Sequence, residues 1–310
     1  MNQKKIIAVI GASGTQGSGL VRAILNDPQS EFAVRAITRE PNSEKANELA
    51  ALGAEVVQAD VDDVKSLEAA FAGAYGAFLV SFYWPHMDAV RETQTVKNMA
   101  VATKLTRVQH VIYSTLEDTR HFLSLEDDSI PTIKGRYKVP FLDSKGEANR
   151  FFVDLGIPTT FLLTSFYWEN FYTMAPQRQD GELQLKINFG NAKLAGLAAE
   201  DIGNCTYAIF KQKEAFIGKT VGISGDQLTF HEIADAFSEA LGEKVHYAPF
   251  SNEEYRALAG MEAANSFQWM TDFNKEFLEA RSLDFSRSLN PAMQTLKKWL
   301  ETNKERISID

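Results

Sequence analysis

The sequence predicts an α/β protein built on a doubly wound parallel sheet. In the first half of the chain, short apolar runs alternate with segments of helical period, and a Gly-rich turn follows the first run. Strands that are buried on both faces and joined by crossover helices form parallel sheets covered by helices on both sides. After residue 164 the alternation breaks, so we expect a smaller α/β lobe in the C-terminal part.

The elements follow in a regular order. Apolar runs predict strands at residues 6–10, 32–38, 54–58, 76–80, 110–114 and 159–164, and helical periodicity predicts helices at 20–25, 44–52, 66–71, 89–104 and 144–155. In the second half we expect extended segments at 181–190, 220–224 and 244–250 and helices at 198–210 and 230–241. Thr229 is placed to begin the last of these helices and Gly242 to end it. We therefore assign residues 1–165 to the first domain and 166–310 to the lobe, with residues from about 195 to 225 returning to the first sheet.

The composition and the first apolar run argue against nucleic-acid binding, disulfide bonding and an N-terminal membrane segment. The 310 residues carry a net charge of −9, which argues against direct nucleic-acid binding because that affinity rests on basic patches. Cys205 is the single cysteine, so no internal disulfide is possible and a reducing compartment is expected. The first apolar run ends at Gly11, too short for a signal segment or a membrane span. We expect a cytoplasmic protein, with the nucleus as an open alternative.

A Gly-rich turn, GASGTQG, lies between the first strand and the first helix. Glycines at this place allow a tight turn and a close approach of the backbone to a pyrophosphate, which binds at the positive N-terminus of the helix. The position inside a βαβ unit therefore predicts a dinucleotide-binding first domain, with a plain Gly-rich turn as the alternative. The predicted contacts are Gly11, Ala12, Ser13, Gly14, Thr15, Gln16 and Gly17.

Arg39 follows the second strand, where NAD-binding folds place an acidic residue for the ribose 2′-hydroxyl. A guanidinium at this place can hold a 2′-phosphate with two hydrogen bonds, which favours NADP(H) over NAD(H). The alternative is that Arg39 is a solvated cation and Glu40 contacts the ribose. Asp60 and Val61 follow the third strand and would flank the adenine, although Asp60 could instead cap the next helix.

The tetrapeptide SFYW occurs twice, at residues 81–84 and 165–168, each time after a predicted strand. Ligands of open parallel sheets bind outside the carboxyl ends of the strands, so the two clusters could form an apolar pocket for the nicotinamide. Glu169 and Asn170 follow the second cluster and could bond the ring carboxamide. The alternative is that these aromatic residues are core.

Ser114 ends the fifth strand, and Lys145 begins the following helix. These positions resemble those of the substrate-orienting serine and the ribose-binding lysine of short-chain dehydrogenases, whose catalytic tyrosine lies four residues before the lysine. Here that residue is Phe141, which carries no proton. Lys145 could alternatively be a surface residue of its helix. The five histidines show no metal-binding spacing, and we expect no metal.

The chain resembles the NmrA-like family of atypical short-chain dehydrogenase relatives, through segments that span almost its full length. The matching segments are KKIIAVIGASGTQG, AVRAITREP, LGAEVVQADVDD, VIYSTLED, FLDSKGE, FYWEN and LNPAMQTLKKWLE. The resemblance implies a Rossmann-type fold with a small C-terminal lobe, NADP(H) as the cofactor, and a regulatory, redox-sensing role through protein partners without dehydrogenase turnover. The alternative is an NADPH-dependent reductase of quinones or enones that uses Lys145. A homodimer is one oligomeric state that the sequence leaves open.

The resemblance also implies which residues contact the cofactor. The Gly-rich turn would hold the pyrophosphate and Arg39 the 2′-phosphate. Further residues near the nicotinamide or elsewhere along the cofactor would be Ser81, Phe82, Tyr83, Lys97, Lys145, Tyr167, Trp168, Glu169 and Asn170. If the protein is an enzyme, Lys145 and, more weakly, Ser114 would be its catalytic residues.

Overall fold

The computed structural model describes residues 3–309 and confirms the predicted α/β class. Its strands are β1 (Lys5–Ile10), β2 (Phe32–Thr38), β3 (Glu55–Gln58), β4 (Gly76–Val80), β5 (His110–Thr115), β6 (Thr159–Leu163), β7 (Phe166–Tyr167), β8 (Gln177–Gln179), β9 (Glu182–Leu185), β10 (Lys193–Leu197), β11 (Thr220–Gly222), β12 (Asp226–Thr229) and β13 (Val245–Tyr247). Its α-helices are α1 (Gly17–Leu25), α2 (Glu44–Ala51), α3 (Val64–Phe71), α4 (Ala89–Leu105), α5 (Pro140–Asp154), α6 (Ala199–Lys211), α7 (Phe230–Leu241), α8 (Asn252–Ala259), α9 (Met261–Asp272), α10 (Asn274–Glu279), α11 (Leu283–Leu289) and α12 (Leu296–Asn303).

The chain divides into two compact units, each assembled from separate segments. Unit 1 contains the chain up to Glu117 together with Ser144–Leu163 and Ala199–Val221. Unit 2 contains Asp118–Asp143, Thr164–Ala198 and the chain from Gly222 onward.

Unit 1 is built on a seven-stranded sheet with the order β11-β6-β5-β4-β1-β2-β3. Neighbouring strands run parallel, as β1 does with β2 on one side and with β4 on the other. The chain therefore proceeds outward from β1 in one direction and then returns to continue from β4 in the other. In such sheets the crevice at the carboxyl ends of the two central strands is the usual place for a ligand.

Helix α6 packs closely against α1 within unit 1. A Cβ atom added to Gly203 of α6 would lie 2.0 Å from the carbonyl carbon of Gly19 in α1, closer than any real side chain allows. The two glycines thus let the helix backbones touch. This contact holds a segment from the second half of the sequence in unit 1.

Unit 2 contains two three-stranded sheets, ordered β12-β10-β7 and β13-β9-β8, together with helices α7–α12. Helix α7 begins and ends as predicted. Thr229 forms a capping box with Glu232, and Gly242 ends the helix with a left-handed φ of 71°.

Residues 118–143 lie in unit 2, which differs from the predicted domain boundary at residue 165. Two amides of α9 hold the backbone of this segment. Asn265 Nδ2 donates to the carbonyls of Pro131 at 2.9 Å and Lys138 at 2.8 Å, and Gln268 Nε2 donates to the carbonyl of Ser129 at 2.8 Å. The difference arises because these partners are more than a hundred residues away in sequence, so no local pattern indicates them.

Candidate functional site

The Gly-rich turn joins β1 to α1 through a backbone that requires glycine at two positions, Gly11 and Gly17. Gly11 has a left-handed φ of 68°, and its carbonyl accepts a hydrogen bond from the Gly14 N–H at 2.8 Å. A Cβ atom at Gly17 would lie 2.4 Å from that carbonyl oxygen. The turn therefore brings bare backbone to the carboxyl edge of the sheet, as contact with a pyrophosphate requires.

The N-terminus of α1 differs from those of the neighbouring helices. It has no side-chain cap and no acidic residue in its first turn. In contrast, α2, α3 and α4 are each capped by a side chain of their own, from Ser43, Asp63 and Asp88. An uncapped first turn presents N–H groups and the positive end of the helix dipole, which together favour an anion.

Two arginines of unit 1 lie four residues apart at β2 but differ in their surroundings. Arg35 donates to Glu55 Oε2 at 2.8 Å and to the carbonyls of Ala70 and Ala72 at 2.9 and 2.7 Å. Arg39 is exposed, and its guanidinium makes no hydrogen bond or ion pair within the part of the chain that the structure describes. Arg39 is thus available to a ligand at the carboxyl end of β2.

The other residues predicted along the cofactor in unit 1 lie on loops and on α4. Asp60 is exposed, and its Oδ1 accepts a hydrogen bond from the N–H of Asp62 at 2.9 Å. The Val61 carbonyl accepts a hydrogen bond from Asn98 Nδ2 at 3.0 Å. Lys97 is exposed on α4. Their contacts with a cofactor stay predictions.

The first SFYW segment begins directly after β4. The Phe82 ring borders the Gly-rich turn, since a Cβ atom at Gly11 would lie 3.0 Å from Phe82 Cζ. Phe82 and Trp84 are 42% and 59% exposed, whereas Tyr83 is buried and stacks edge-on against Trp84. Unit 1 therefore presents two exposed aromatic rings in the segment that follows β4.

Lys145 takes part in a buried polar network at the end of β4. Its Nζ donates to Ser81 Oγ at 2.7 Å, to the Ser81 carbonyl at 3.0 Å and to Glu92 Oε1 at 2.7 Å. Glu92 lies in α4 and is completely buried. It also accepts hydrogen bonds from Ser81 Oγ at 2.7 Å and from Ser144 Oγ at 2.6 Å. The network joins the end of β4 to helices α4 and α5.

Strand β5 holds the backbone of Lys145 in place. Thr115 Oγ1 lies 3.1 Å from the Lys145 carbonyl oxygen and 2.8 Å from Asn149 Oδ1, so its single proton is shared between these two acceptors. The Tyr113 hydroxyl lies 3.5 Å from the same carbonyl. Burial and the Glu92 carboxylate raise the pKa of Tyr113, so this phenol is a weaker acid than a free tyrosine. Tyr113 is therefore a poor substitute for the missing catalytic tyrosine.

Ser114 is buried at the end of β5, and Phe141 is half-buried in α5, one helical turn before Lys145. Ser114 therefore lies near the end of the fifth strand, and Phe141 lies four residues before Lys145 on the same helix, as the sequence predicts. The catalytic role of Ser114 stays a prediction.

The second SFYW segment lies in unit 2. Trp168 is completely buried against Gly196, where an added Cβ atom would lie 2.0 Å from the indole ring. Glu169 Oε1 accepts a hydrogen bond from Trp299 Nε1 at 3.2 Å. Tyr167 and Asn170 are half-buried. These contacts give Trp168 and Glu169 a place in the packing of unit 2, and the cofactor contacts of the four residues stay predictions.

Glu92 and Ser144 belong to the network around Lys145 but were not predicted from the sequence. Glu92 lies on the face of α4 that also carries the buried residues Val96, Met99 and Thr103, at spacings of four, seven and eleven residues. A carboxylate on an otherwise buried helix face needs a partner, and that signal could have revealed it. Ser144 directly precedes Lys145, but a serine at the start of the predicted helix carries no comparable signal.

Among the side chains that the structure describes, no three from His, Cys, Asp or Glu are grouped so that they could hold a metal ion. No helix of the described residues combines the length and the hydrophobicity needed to cross a membrane.

Comparison with known proteins agrees with this geometry. The NmrA-like family model matches residues 3–302. The chain belongs to the NmrA-like family. An NmrA-like oxidoreductase, malD of Malbranchea aurantiaca, is 26% identical, and the alignment covers 98% of each chain.

Solved structures share the fold over the full length. NmrA, a negative transcriptional regulator solved in complex with NADP, superposes with a TM-score of 0.77 at 23% identity, covering 97% of this chain and 95% of that chain. The triphenylmethane reductase of Citrobacter sp., solved in complex with NADP(H), gives a TM-score of 0.75 at 25% identity, covering 97% of this chain and 99% of that chain. Solved structures with this fold thus include a regulator and a reductase.

Proposed function

We propose that this protein binds NADP(H) at the carboxyl edge of the unit 1 sheet and acts as a redox sensor that signals through a protein partner. The uncapped N-terminus of α1 suits a pyrophosphate, and the exposed guanidinium of Arg39 suits a 2′-phosphate. When bound, the cofactor supplies a hydride donor. A partner that distinguishes the protein with reduced cofactor from the protein with oxidised cofactor would respond to its oxidation state.

The observation that carries the sensor proposal is the pair of residues Phe141 and Lys145 in helix α5. Phe141 occupies the position of the catalytic tyrosine, and the three N–H groups of Lys145 are already bonded to Ser81 and Glu92. A positioned acid typically contributes about 10²–10⁴-fold to a reaction of this kind. This chain lacks that acid while it keeps the lysine.

A thiol is a poor candidate for the redox-responsive group. Cys205 is completely buried in α6, and burial raises the pKa of its thiol. Because the thiolate is the reactive species, this cysteine is protected from oxidation. A redox response of this protein would therefore depend on the cofactor.

A second candidate function is an NADPH-dependent reductase of quinones or enones. The exposed ring of Phe82 borders the Gly-rich turn, and the exposed ring of Trp84 lies two residues further along the chain. Relatives are named as oxidoreductases. Hydride addition to a quinone gives a hydroquinone anion, which solvent water can protonate without a positioned acid. This reaction would therefore tolerate Phe141.

The experiment that tests the two functions measures binding and turnover on the same preparation. NADPH affinity is determined by calorimetry, and NADPH consumption is followed with a panel of quinones, enones and carbonyl compounds. The sensor proposal expects NADPH binding with turnover near the uncatalysed rate. Fast turnover on any member of the panel would favour the reductase instead, and absence of binding would contradict both functions.

The variant Phe141→Tyr sharpens the test. It restores a phenol one turn before Lys145 and should raise carbonyl reduction above that of the wild type if only the acid is missing. Quinone reduction should change little, because it needs no positioned acid. Equal effects on both substrate classes would contradict this assignment of roles.

A further inference from the structure

Glu92 is a completely buried carboxylate with both oxygens in use. Its Oε1 accepts hydrogen bonds from Lys145 Nζ and Ser81 Oγ, both at 2.7 Å, and its Oε2 accepts one from Ser144 Oγ at 2.6 Å. A buried carboxylate is tolerated only when it is paired and hydrogen-bonded. Lys145 provides the positive charge of this pair.

Lys145 has no N–H group left for a ligand in this arrangement. An ammonium has three donors, and here they point to the Ser81 carbonyl, Ser81 Oγ and Glu92 Oε1. If a ribose hydroxyl of the cofactor is to accept a hydrogen bond from Lys145, one of these three bonds must be released.

The three bonds differ in the cost of their release. Loss of the bond to Glu92 would leave a buried carboxylate supported only by two hydroxyl groups. Loss of the bond to the Ser81 carbonyl would free a neutral acceptor at 3.0 Å, the longest of the three bonds, just past the carboxyl end of β4. The carbonyl bond is therefore the one that a ligand can replace.

We propose that Glu92 is a positioning residue for the nicotinamide half of the cofactor. It retains the Lys145 ammonium at the end of β4 while a ribose hydroxyl takes the place of the Ser81 carbonyl. The inference rests on the proposed binding of NADP(H). It gives helix α4 a part in placing Lys145 for the nicotinamide half of the cofactor.

The test compares two ligands on Glu92→Gln. NADPH carries the nicotinamide ribose, whereas adenosine 2′,5′-bisphosphate carries only the half that would contact the Gly-rich turn and Arg39. We expect NADPH affinity to fall by about tenfold, which corresponds to about 1.4 kcal/mol, while affinity for the bisphosphate stays within about twofold of wild type. Glu31→Gln is the matched control, because it removes a surface carboxylate that pairs with Lys5 in the same unit.

Each outcome decides the proposal. A lower NADPH affinity with unchanged bisphosphate affinity supports it. Equal losses for both ligands indicate a purely structural role and overturn it, as does unchanged NADPH affinity. If the wild type binds neither ligand, NADP(H) binding itself fails, and that result is distinguishable because it does not involve the variant.

A second measurement needs no variant, so it is independent of whether Glu92→Gln folds. In a crystal structure of the wild type with NADPH, Lys145 Nζ should remain within about 3 Å of Glu92 and should donate to a ribose hydroxyl in place of the Ser81 carbonyl. Separation of Lys145 from Glu92, or a ribose that does not contact Lys145, would overturn the proposal.

Discussion

The carboxyl ends of β2 and β4 both have a cationic side chain beside them, but one cation is exposed and the other has all its donors bonded. We call the first site open and the second closed. Arg39, after β2, is exposed and makes no side-chain hydrogen bond within residues 3–309. Lys145, at the end of β4, has all three donors bonded. A ligand can add hydrogen bonds at the first place, whereas at the second it must exchange existing ones.

The contrast does not arise from a shortage of partners around β2. Arg35 on the same strand bonds a carboxylate and two carbonyls. Arg39 is open because it lies beyond the last residue of the strand, where the chain passes into solvent. A loop position at the carboxyl edge thus preserves binding capacity that the interior of the strand uses for stability.

Unit 2 contains a closed lysine of another kind. Lys138 is completely buried, and its Nζ donates to the carbonyls of Leu125, Asp127 and Ile130 at 3.2, 2.5 and 2.8 Å. All three acceptors belong to one loop, so the ammonium holds that loop together. Lys145 instead joins separate elements through a carboxylate, and one of its acceptors lies at a strand end.

The largest effect should come from opening the closed site. Lys145→Met removes the positive charge from Glu92 and should lower the free energy of unfolding by about 3–5 kcal/mol, because a buried carboxylate loses its counter-charge. Denaturant unfolding followed by circular dichroism measures the loss.

The double variant Lys145→Met/Glu92→Gln is the control for this prediction. It removes both charges while the amide can still bond Ser81 and Ser144, so it should recover most of the lost stability. A double variant that is no more stable than Lys145→Met would show that packing, and not charge pairing, closes the site.

A buried histidine whose pKa is shifted by burial extends the comparison to the amino edge of the sheet. His110 is completely buried at the start of β5, with Nε2 2.9 Å from Thr160 Oγ1, and burial lowers its pKa to about 4 from 6.5. The unfolded chain binds this proton more readily than the folded chain, so stability should fall as the pH drops from 6.5 towards 4. The expected contribution is about 3 kcal/mol.

Unfolding of the wild type and of His110→Gln between pH 4 and pH 7 measures this contribution. Glutamine keeps a nitrogen near Thr160 but does not titrate, so the variant should lose less stability than the wild type over this range. Parallel pH profiles of the two proteins would contradict the prediction.

The open site should respond in binding and not in stability. Arg39→Ala should weaken NADPH binding by about 1.5–3 kcal/mol, the range for hydrogen bonds to a charged group, and should leave NADH affinity nearly unchanged. Arg39→Lys keeps the charge without the two-pronged geometry and should fall between wild type and alanine. Calorimetry with both cofactors checks the order, and equal wild-type affinities for NADPH and NADH would contradict the assignment of Arg39.

The sequence was sufficient for the fold and for the position of the Gly-rich turn, because these depend on local periodicity and on glycines within a few residues. The alternation of strands and helices, the start of α7 at Thr229 and its end at Gly242 were all predicted, whereas the reciprocal pairing of Thr229 with Glu232 was not. The return of α6 to the first unit was also expected, although the contact between Gly19 and Gly203 that explains it was not.

What the sequence did not reveal depends on partners far apart in the chain. Glu92 is 53 residues from Lys145, and the two meet only because β4, α4 and α5 pack at one edge of the sheet. Asn265 and Gln268 bind a loop more than a hundred residues earlier. Hydrogen bonds of this kind produce no periodic pattern in the sequence, since they need only one polar residue at each end.

The smallest effect should come from the one cysteine, and it distinguishes cofactor-based from thiol-based sensing. Cys205 is buried in α6, and burial raises the pKa of its thiol, so the reactive thiolate is scarce and inaccessible at neutral pH. A thiol-specific chromogenic reagent should therefore detect no thiol in the native protein and one in denaturant. Mild oxidants should also leave NADPH affinity unchanged in both the wild type and Cys205→Ala, which serves as the thiol-free control. Rapid labelling of the native protein, or an oxidant effect on affinity that Cys205→Ala abolishes, would show that the thiol takes part and that sensing is not confined to the carboxyl edge of the sheet.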